Sequence, residues 1–277
     1  MFRMCAFGDP ILSDEDDRPL NGIMRRTKLF ALLIFLTCDE LNRPQRREEV
    51  VATFWPESDG ARGRNSLRQS LHILRDELGP DILDGNGSPG LSVNRSRITC
   101  DVEAFTQAVN AGWPEAALDA YKGDFLSGFS LPDSPEFGAW ADERRYDLRV
   151  TAATVARGLA LQAEEKRDLT EALTWWRRTL RHRPFDEAVM RRIGSLLAWS
   201  GNRGQAVSEL EAFGGRMTTE LGLGPSGETL DLLEKISAGR IDDIDEWAGH
   251  RRTRWSRGSE HPWRRRADYL VGDPDAA

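Results

Sequence analysis

The sequence contains few cysteines and no long apolar run. Its three cysteines (Cys5, Cys38 and Cys100) are scattered over 277 residues. Their odd number argues against a disulfide framework and favours a reducing compartment. The longest apolar run, 29–36, has eight residues, far fewer than the roughly 20 that a membrane-spanning helix needs. The N-terminus has neither a basic region nor a long apolar core, so no signal peptide is expected. We therefore predict a cytoplasmic protein without membrane association.

The motifs of metal, nucleotide and nucleophile sites are also missing. The four histidines form no His-Glu-x-x-His, the cysteines form no Cys-x-x-Cys, and there is no Gly-x-x-x-x-Gly-Lys-Ser/Thr. The stretch 222–227 fits Gly-x-Gly-x-x-Gly, but it follows a helical segment and contains Pro225, which favours a helix end over a dinucleotide site. Residues 128–132 have proline where a nucleophile elbow needs glycine. We therefore predict no enzyme activity, no cofactor and no metal.

Charge is distributed unevenly along the chain. The formal net charge is -7 and the pI is about 5.3. Residues 1–100 hold 14 Lys and Arg against 15 Asp and Glu, whereas residues 101–240 hold 17 against 22. The first part is thus nearly neutral, and a local basic face there could bind nucleic acid while the acidic part stays away from it. Such a protein is expected to bind with modest, salt-sensitive affinity as a single copy.

Residues 1–100 mix helical and strand patterns. Apolar and capping signals predict three helices at 27–38, 47–55 and 61–78, with Ser58 or Asp59 capping the third. A Gly/Asn-rich tip at 84–90 between strand-compatible runs predicts a hairpin. Short strands are expected within 2–13. Three helices followed by a hairpin form a winged helix-turn-helix.

From Asp101 onward the pattern is helical. Asp168, Ala172 and Trp176 recur as Asn202, Ala206 and Leu210, an offset of 34 residues that equals the period of a tetratricopeptide helix pair. A generic helical bundle is the alternative. The predicted fold is therefore mainly α, with an N-terminal winged helix-turn-helix and small β elements at 1–100. An all-α tetratricopeptide-like array follows at 101–240, and a flexible Arg/Trp-containing tail at 241–277.

The predicted helix 61–78 has two different sides. Four leucines form one narrow apolar stripe, which must pack on a core: Leu67, Leu71, Leu74 and Leu78. The opposite side carries Arg62, Asn65, Gln69 and His72 with Arg68 beside them, while Arg64 and Arg75 lie nearer the stripe. Arg, Asn and Gln match the hydrogen-bonding edges of bases, and marginal arginines suit phosphates. On the helix alone a solvated polar face is the favoured interpretation, but the winged-helix context favours DNA.

Longer motifs carry a family resemblance over about 2–238. RRTKLFALLIFLTC, WPESD and SLRQSLHILRDELG resemble the OmpR-like winged-helix domain of SARP/AfsR-type transcriptional activators. YKGDFLSGFSLPDSPEFGAWADERR and TTELGLGPSGETLDLLEKI are similar to the bacterial transcriptional activator domain, a tetratricopeptide-like array. Larger family members add a nucleotide-binding ATPase domain. Because its phosphate-binding motif is missing here, nucleotide control within the chain is not expected.

The resemblance implies a regulator that binds double-stranded DNA, commonly as side-by-side copies on direct repeats, and recruits RNA polymerase. Transferred to this sequence, Asn65, Arg68, Gln69 and His72 face the major groove, Arg62 and Arg64 are phosphate candidates, and 56–60 is where polymerase can be touched. The hairpin 84–90 is then the wing that enters the minor groove. Its tip has no Arg or Lys, so contact there falls to Asn86, Ser88 and backbone amides, or to Arg95 and Arg97.

Two other functions remain open at this point. In the first, the helical array binds a protein partner and the winged helix docks protein without binding DNA. In the second, the chain is an enzyme of unrecognised type, which a pocket with a strongly perturbed acid or histidine would indicate.

Overall fold

The computed structural model describes residues 1–39, 44–84 and 90–240. It confirms the mainly α fold with small β elements near the N-terminus and a helical array after them. By their contacts, the described residues form two compact units, 1–149 and 150–240. Residues 101–149 thus group with the winged helix by contacts, whereas the boundary predicted from sequence at 100/101 stays a prediction. The tail 241–277 lies outside the described residues.

The elements of the first unit follow the predicted order closely. They are β1 (Phe2–Cys5), β2 (Ile11–Ser13), α1 (Asn21–Met24), α2 (Thr27–Cys38), β3 (Gln45–Arg46), α3 (Arg47–Phe54), α4 (Gly60–Leu78), β4 (Leu83–Asp84), β5 (Gly90–Val93), β6 (Ile98–Cys100), α5 (Asp101–Ala111), α6 (Pro114–Ala120) and the beginning of α7 (Pro135–Glu165). The helix predicted at 27–38 is α2, and every residue from Leu29 to Cys38 in it is buried. The predicted 61–78 is α4, which begins one residue earlier.

Two small sheets support the helices. In the order β2-β1-β6, β1 pairs antiparallel with β2 and parallel with β6, so that Phe2 lies opposite Ile98 and Met4 opposite Cys100. In the order β3-β5-β4, both neighbours pair antiparallel with β5. The second sheet is the base of the predicted hairpin. The tip of that hairpin, with Asn86 and Ser88, lies outside the described residues.

Asp101 joins the end of β1 to the start of α5. Its carboxylate accepts hydrogen bonds from the backbone N–H of Ala6 at 2.8 Å, Phe7 at 3.0 Å and Val102 at 2.9 Å. Burial raises the pKa of this carboxyl, and the backbone donors partly offset that rise. Beside it, the buried thiols of Cys38 and Cys100 approach to 3.4 Å, and all three cysteines are free. This one carboxylate therefore satisfies the backbone N–H groups of Ala6 and Phe7 directly after β1.

Aromatic side chains from α7 complete the core of the first unit. Trp140 packs on Phe35 of α2 at 4.8 Å between ring centroids, and Phe137 packs on Phe54 of α3 at 5.4 Å. The indole N–H of Trp140 donates to the Asp39 carboxylate at 2.7 Å, at the end of α2. The winged helix therefore shares its hydrophobic core with residues well beyond position 100.

The second unit consists of paired helices. It contains the rest of α7, then α8 (Leu169–His182), α9 (Glu187–Trp199), α10 (Arg203–Arg216), a π-helical turn (Met217–Leu221) and α11 (Gly227–Ser237). Asp168 and Asn202 stand at the N-caps of α8 and α10, and Ala172 and Ala206 are fully buried at equivalent positions. The repeat of 34 residues is therefore a structural repeat, and Trp176 and Leu210 both lie in its core.

Hydrogen-bonded charges join the helices of the second unit. Glu187 at the start of α9 accepts from the backbone N–H of Ser226 at 2.8 Å and from the hydroxyls of Ser226 at 2.7 Å and Thr229 at 2.5 Å. Burial would raise the pKa of Glu187, but these hydrogen bonds and the nearby Arg191 outweigh it and hold the pKa below its usual range. Glu187 thus anchors the first turn of α11.

None of the helices within the described residues is long and apolar enough to cross a membrane.

Candidate nucleic-acid interface

Helix α4 is held at its N-terminus by Asp59. The Asp59 carboxylate accepts hydrogen bonds from the backbone N–H groups of Ala61 at 3.1 Å and Arg62 at 2.8 Å. Of the two caps predicted from sequence, Asp59 is therefore the one used. The predicted stripe is buried as expected: Leu67, Leu71, Leu74 and Leu78 are each at most 2% exposed. The cap and the stripe fix which side of α4 faces away from the protein.

Gly63 lets α4 approach α3 closely. A Cβ at Gly63 would lie 2.6 Å from Cγ1 of Val51, nearer than real atoms come. The glycine falls on the same stripe as Leu67, and this position is the sequence signal that predicts a helix crossing there. It was not among the predicted functional residues. Its role is to let α3 and α4 pack at close distance.

The six predicted contact residues of α4 are all exposed. They are Arg62, Arg64, Asn65, Arg68, Gln69 and His72. None of them lies under another helix in the part of the chain that the structure describes. The structure therefore brings together one polar side of a single helix, opposite the side that the leucines anchor.

Ion pairs occupy both ends of this polar side. Arg62 pairs with the capping Asp59 at 3.2 Å, with 84% and 58% of the two side chains exposed. His72 lies 3.4 Å from Asp76, a pair that is ionic only when the histidine is protonated. These contacts are loose, since exposed pairs are worth roughly 0–1 kcal/mol. Arg62 can therefore exchange Asp59 for another anion at little cost.

The middle of the polar side is arranged differently. Arg68 Nη1 donates to Asn65 Oδ1 at 3.2 Å, one helical turn away. Gln69 makes no side-chain hydrogen bond to any described residue, so both its amide donor and acceptor face solvent. Arg64 folds back towards the first turn, since its Nη1 would lie 3.2 Å from a Cβ at Gly60.

Acidic side chains on α4 are confined to its last turns. Asp76 lies beside His72, and Glu77 is paired with Arg26 of the α1–α2 connection at 3.0 Å. This second pair lies on the other flank of the helix. The N-terminal two thirds of the exposed side consequently carry arginines without an acid on the helix itself, which suits a polyanion.

The predicted wing residues are arranged less uniformly. Arg95 is only 24% exposed, and its Nη1 donates to Glu103 of α5 at 3.1 Å. Arg97 is exposed and lies beside the end of α4, with Nη2 3.7 Å from the position of a Cβ at Gly79. Asn86 lies outside the described residues. The structure thus leaves Arg97 accessible and engages Arg95 elsewhere.

The described residues contain little that suggests chemistry. Within them, no group of three or more His, Cys, Asp or Glu side chains could hold a metal ion. A cavity of about 240 Å³ lies between the 129–135 loop and the start of α7, and its charged lining residues, Asp142 and Arg145, pair with each other. Arg145 also donates Nε to the Phe125 carbonyl at 2.7 Å, which holds the loop. These groups are satisfied structural contacts.

Comparison with known proteins gives the same classification as the motifs. Residues 92–237 match the family described as BTAD: Bacterial transcriptional activator domain, which is more than half of the chain. A search of curated protein sequences found no significant match. Among solved structures, the fold resembles "Mycobacterium tuberculosis EmbR in complex with low affinity phosphopeptide", with a TM-score of 0.55 and 18% identity over 90% of this chain and 69% of that one.

The family match rests on the helical part of the chain, and the structural likeness extends to the winged helix. Together they confirm the resemblance found in the sequence. The chain belongs to the bacterial transcriptional activator domain family of SARP-type transcriptional regulators.

Proposed function

We propose that this regulator binds double-stranded DNA sequence-specifically through α4 and activates transcription. The observation that carries the proposal is the polar side of α4, where Arg, Asn, Gln and His side chains are all exposed opposite a fully buried leucine stripe. A helix held on one side and polar on the other can enter the major groove, which is wide enough to admit it.

The residues of this side have distinct roles. Asn65, Arg68, Gln69 and His72 face the major groove, where they contact base edges directly or position a neighbour that does, and Arg62 and Arg64 contact phosphates. The ion pair of Arg62 is no obstacle, because Asp59 can keep its backbone hydrogen bonds when the guanidinium turns to a phosphate. In the minor groove, Arg97 is the accessible cation, and Asn86 at the tip and Arg95 remain candidates. Arg95 would first have to leave Glu103.

Partners follow from the same proposal. The connection 56–60 between α3 and α4 is mainly polar, with Glu57, Asp59 and Gly60 exposed, and could touch RNA polymerase beside the bound operator. The nearly neutral charge of 1–100 limits the affinity of a single copy, so two copies on direct repeats would share the site. The helical array supplies contacts between copies or to other proteins. We place this activity in the cytoplasm.

The test is selection of bound fragments from the source genome with the full chain. Enriched sites, and an affinity that falls steeply as salt rises, are expected of a specific DNA reader. Arg68→Ala and Gln69→Ala should bind the enriched site less tightly and with less sequence preference, while retaining the parent's far-UV helicity. Arg181→Ala removes an exposed arginine of α8 and serves as the control, which should bind like the parent. If the parent enriches no sequence and shows little salt dependence, the chain is a protein-interaction adaptor instead.

A further inference from the structure

One contact on the polar side of α4 bears on which base is read. Arg68 Nη1 donates to Asn65 Oδ1 at 3.2 Å, and both residues are exposed at the centre of the helix. This is the one cation on that side, within the described residues, whose side-chain partner is a neutral amide. Arg62 is bound to a carboxylate, and so is His72 when it carries a charge.

A neutral partner has two consequences for Arg68. An amide oxygen leaves the full positive charge of the guanidinium in place, where a carboxylate would cancel it. A single hydrogen bond also leaves most of the N–H donors of the guanidinium unused and restricts the rotamers of a long, flexible side chain. The hydrogen bond therefore favours one orientation of Arg68 before it meets a ligand, so that less rotamer entropy remains to be lost on binding.

The chemistry of the unused donors selects one base. A guanidinium carries only donors, and guanine presents two acceptors, N7 and O6, side by side in the major groove. Adenine replaces O6 with an amino donor, which would leave an Arg donor facing another donor. We propose that Arg68 reads one guanine of the operator and that Asn65 is a positioning residue that holds its guanidinium for that contact. This inference rests on the proposed DNA binding.

The different roles of the α4 side chains in binding DNA then follow from their contacts. Arg62, tethered at the N-cap, and Arg64, folded towards Gly60, contribute charge without base preference. Arg68 contributes discrimination at one base pair. Asn65 acts through Arg68. Its loss should therefore reduce discrimination at the base pair that Arg68 reads and leave discrimination at the other positions of the operator unchanged.

The experiment uses the full chain and the site enriched by genomic selection. Binding is measured to that site and to versions in which each base pair is replaced in turn. For the parent, replacing the guanine that Arg68 reads should weaken binding by about 5- to 150-fold. For Arg68→Ala this penalty should disappear at that position alone. For Arg64→Ala, affinity should fall for every sequence alike, and the penalty should persist.

Two Asn65 variants separate positioning from base reading. Asn65→Ala should reduce the penalty at the position read by Arg68. Asn65→Asp keeps an acceptor for Arg68, so it should retain the penalty while binding all sequences more weakly, because its charge repels phosphates. Loss of discrimination at a different base pair in either variant would mean that Asn65 reads a base itself.

Other outcomes count against the inference in distinguishable ways. If Arg68→Ala weakens binding equally to every sequence, Arg68 is a phosphate contact and the inference is wrong, although DNA binding stands. If the parent enriches no sequence, the proposed function fails together with the inference. Far-UV circular dichroism of each variant confirms that a change in binding is not a change in folding.

Discussion

Arg192 of α9 holds Glu164 of α7 through two hydrogen bonds from its guanidinium, one of them, from Nε, at 2.8 Å. The Glu164 carboxylate also accepts the indole N–H of Trp176 at 2.5 Å. Only 13% of the Glu164 side chain and 19% of Arg192 are exposed. Three helices of the second unit thus meet at one largely buried carboxylate.

Removing one member of the Arg192–Glu164 pair should lower the stability of the protein. Glu164→Ala leaves the Arg192 guanidinium buried without its partner, and we expect a loss of about 3–5 kcal/mol in the free energy of unfolding. Urea unfolding measures it. Glu209→Ala is the matched control, because the Arg177–Glu209 pair is more exposed, at 41% and 31%, and should cost less than about 1 kcal/mol. Equal losses in the two variants would contradict this assignment.

Gly63→Ala should destabilise the winged helix. The added Cβ would meet Val51 Cγ1 at 2.6 Å, so α3 and α4 must separate, at a cost of about 1–3 kcal/mol. Gly138→Ala in α7 provides the comparison, because nothing lies within 4 Å of its Cβ. It should leave stability unchanged or raise it by up to about 1 kcal/mol through helix propensity. Thermal unfolding of both variants distinguishes the two expectations.

The contribution of Glu187 to stability should depend on pH. Although burial opposes it, hydrogen bonding lowers the pKa of Glu187 below its usual range. Its stabilisation is therefore fully present above the pKa of the unfolded chain, about 4.3, and is lost as the pH falls through the lower folded pKa. Glu187→Gln should be less stable than the parent at pH 7, and the difference should shrink below about pH 4. Glu220→Gln, at an exposed position of the same unit, is the control. A difference independent of pH would show that the charge is not involved.

A fragment of residues 1–100 should fold poorly, whereas 1–149 should fold. The shorter fragment lacks Phe137 and Trp140, which cover Phe54 and Phe35, and Phe105, which packs on Phe7 at 5.6 Å. Exposed aromatic rings favour aggregation. Size-exclusion chromatography and near-UV circular dichroism compare the two fragments. A monomeric, rigid 1–100 would show that the aromatic core is dispensable.

Local signals make the helices predictable. The bounds of α2 follow from an uninterrupted apolar run, and those of α4 follow from the Asp59 cap and the leucine spacing. The 34-residue period predicts that α8 and α10 are equivalent helices of successive repeats, since small residues at Ala172 and Ala206 recur where helices pack. The exposed side of α4 is predictable for the same reason, because burying one side of a regular helix exposes the other.

Contacts between distant parts of the chain were not predictable. The pairing of β1 with β6 depends on residues that carry no special local pattern. Trp140 has a helical pattern, but its contact with Asp39 depends on how α7 packs. Arg95 looked like a wing cation in sequence, and only the structure reveals its partner Glu103, on the next helix. Where side chains of separate elements meet, one sequence gives no periodicity from which to infer the contact.

The parallel pairing of β1 with β6 has a consequence for biosynthesis. β1, the central strand of its sheet, meets β6 only after α2, α3 and α4 have been made, because Phe2 lies opposite Ile98. Closing so long a loop is entropically slow. Until then Met4, which is fully buried in the finished protein, lacks this neighbour, and we expect translation speed around residue 100 to influence the yield of native protein.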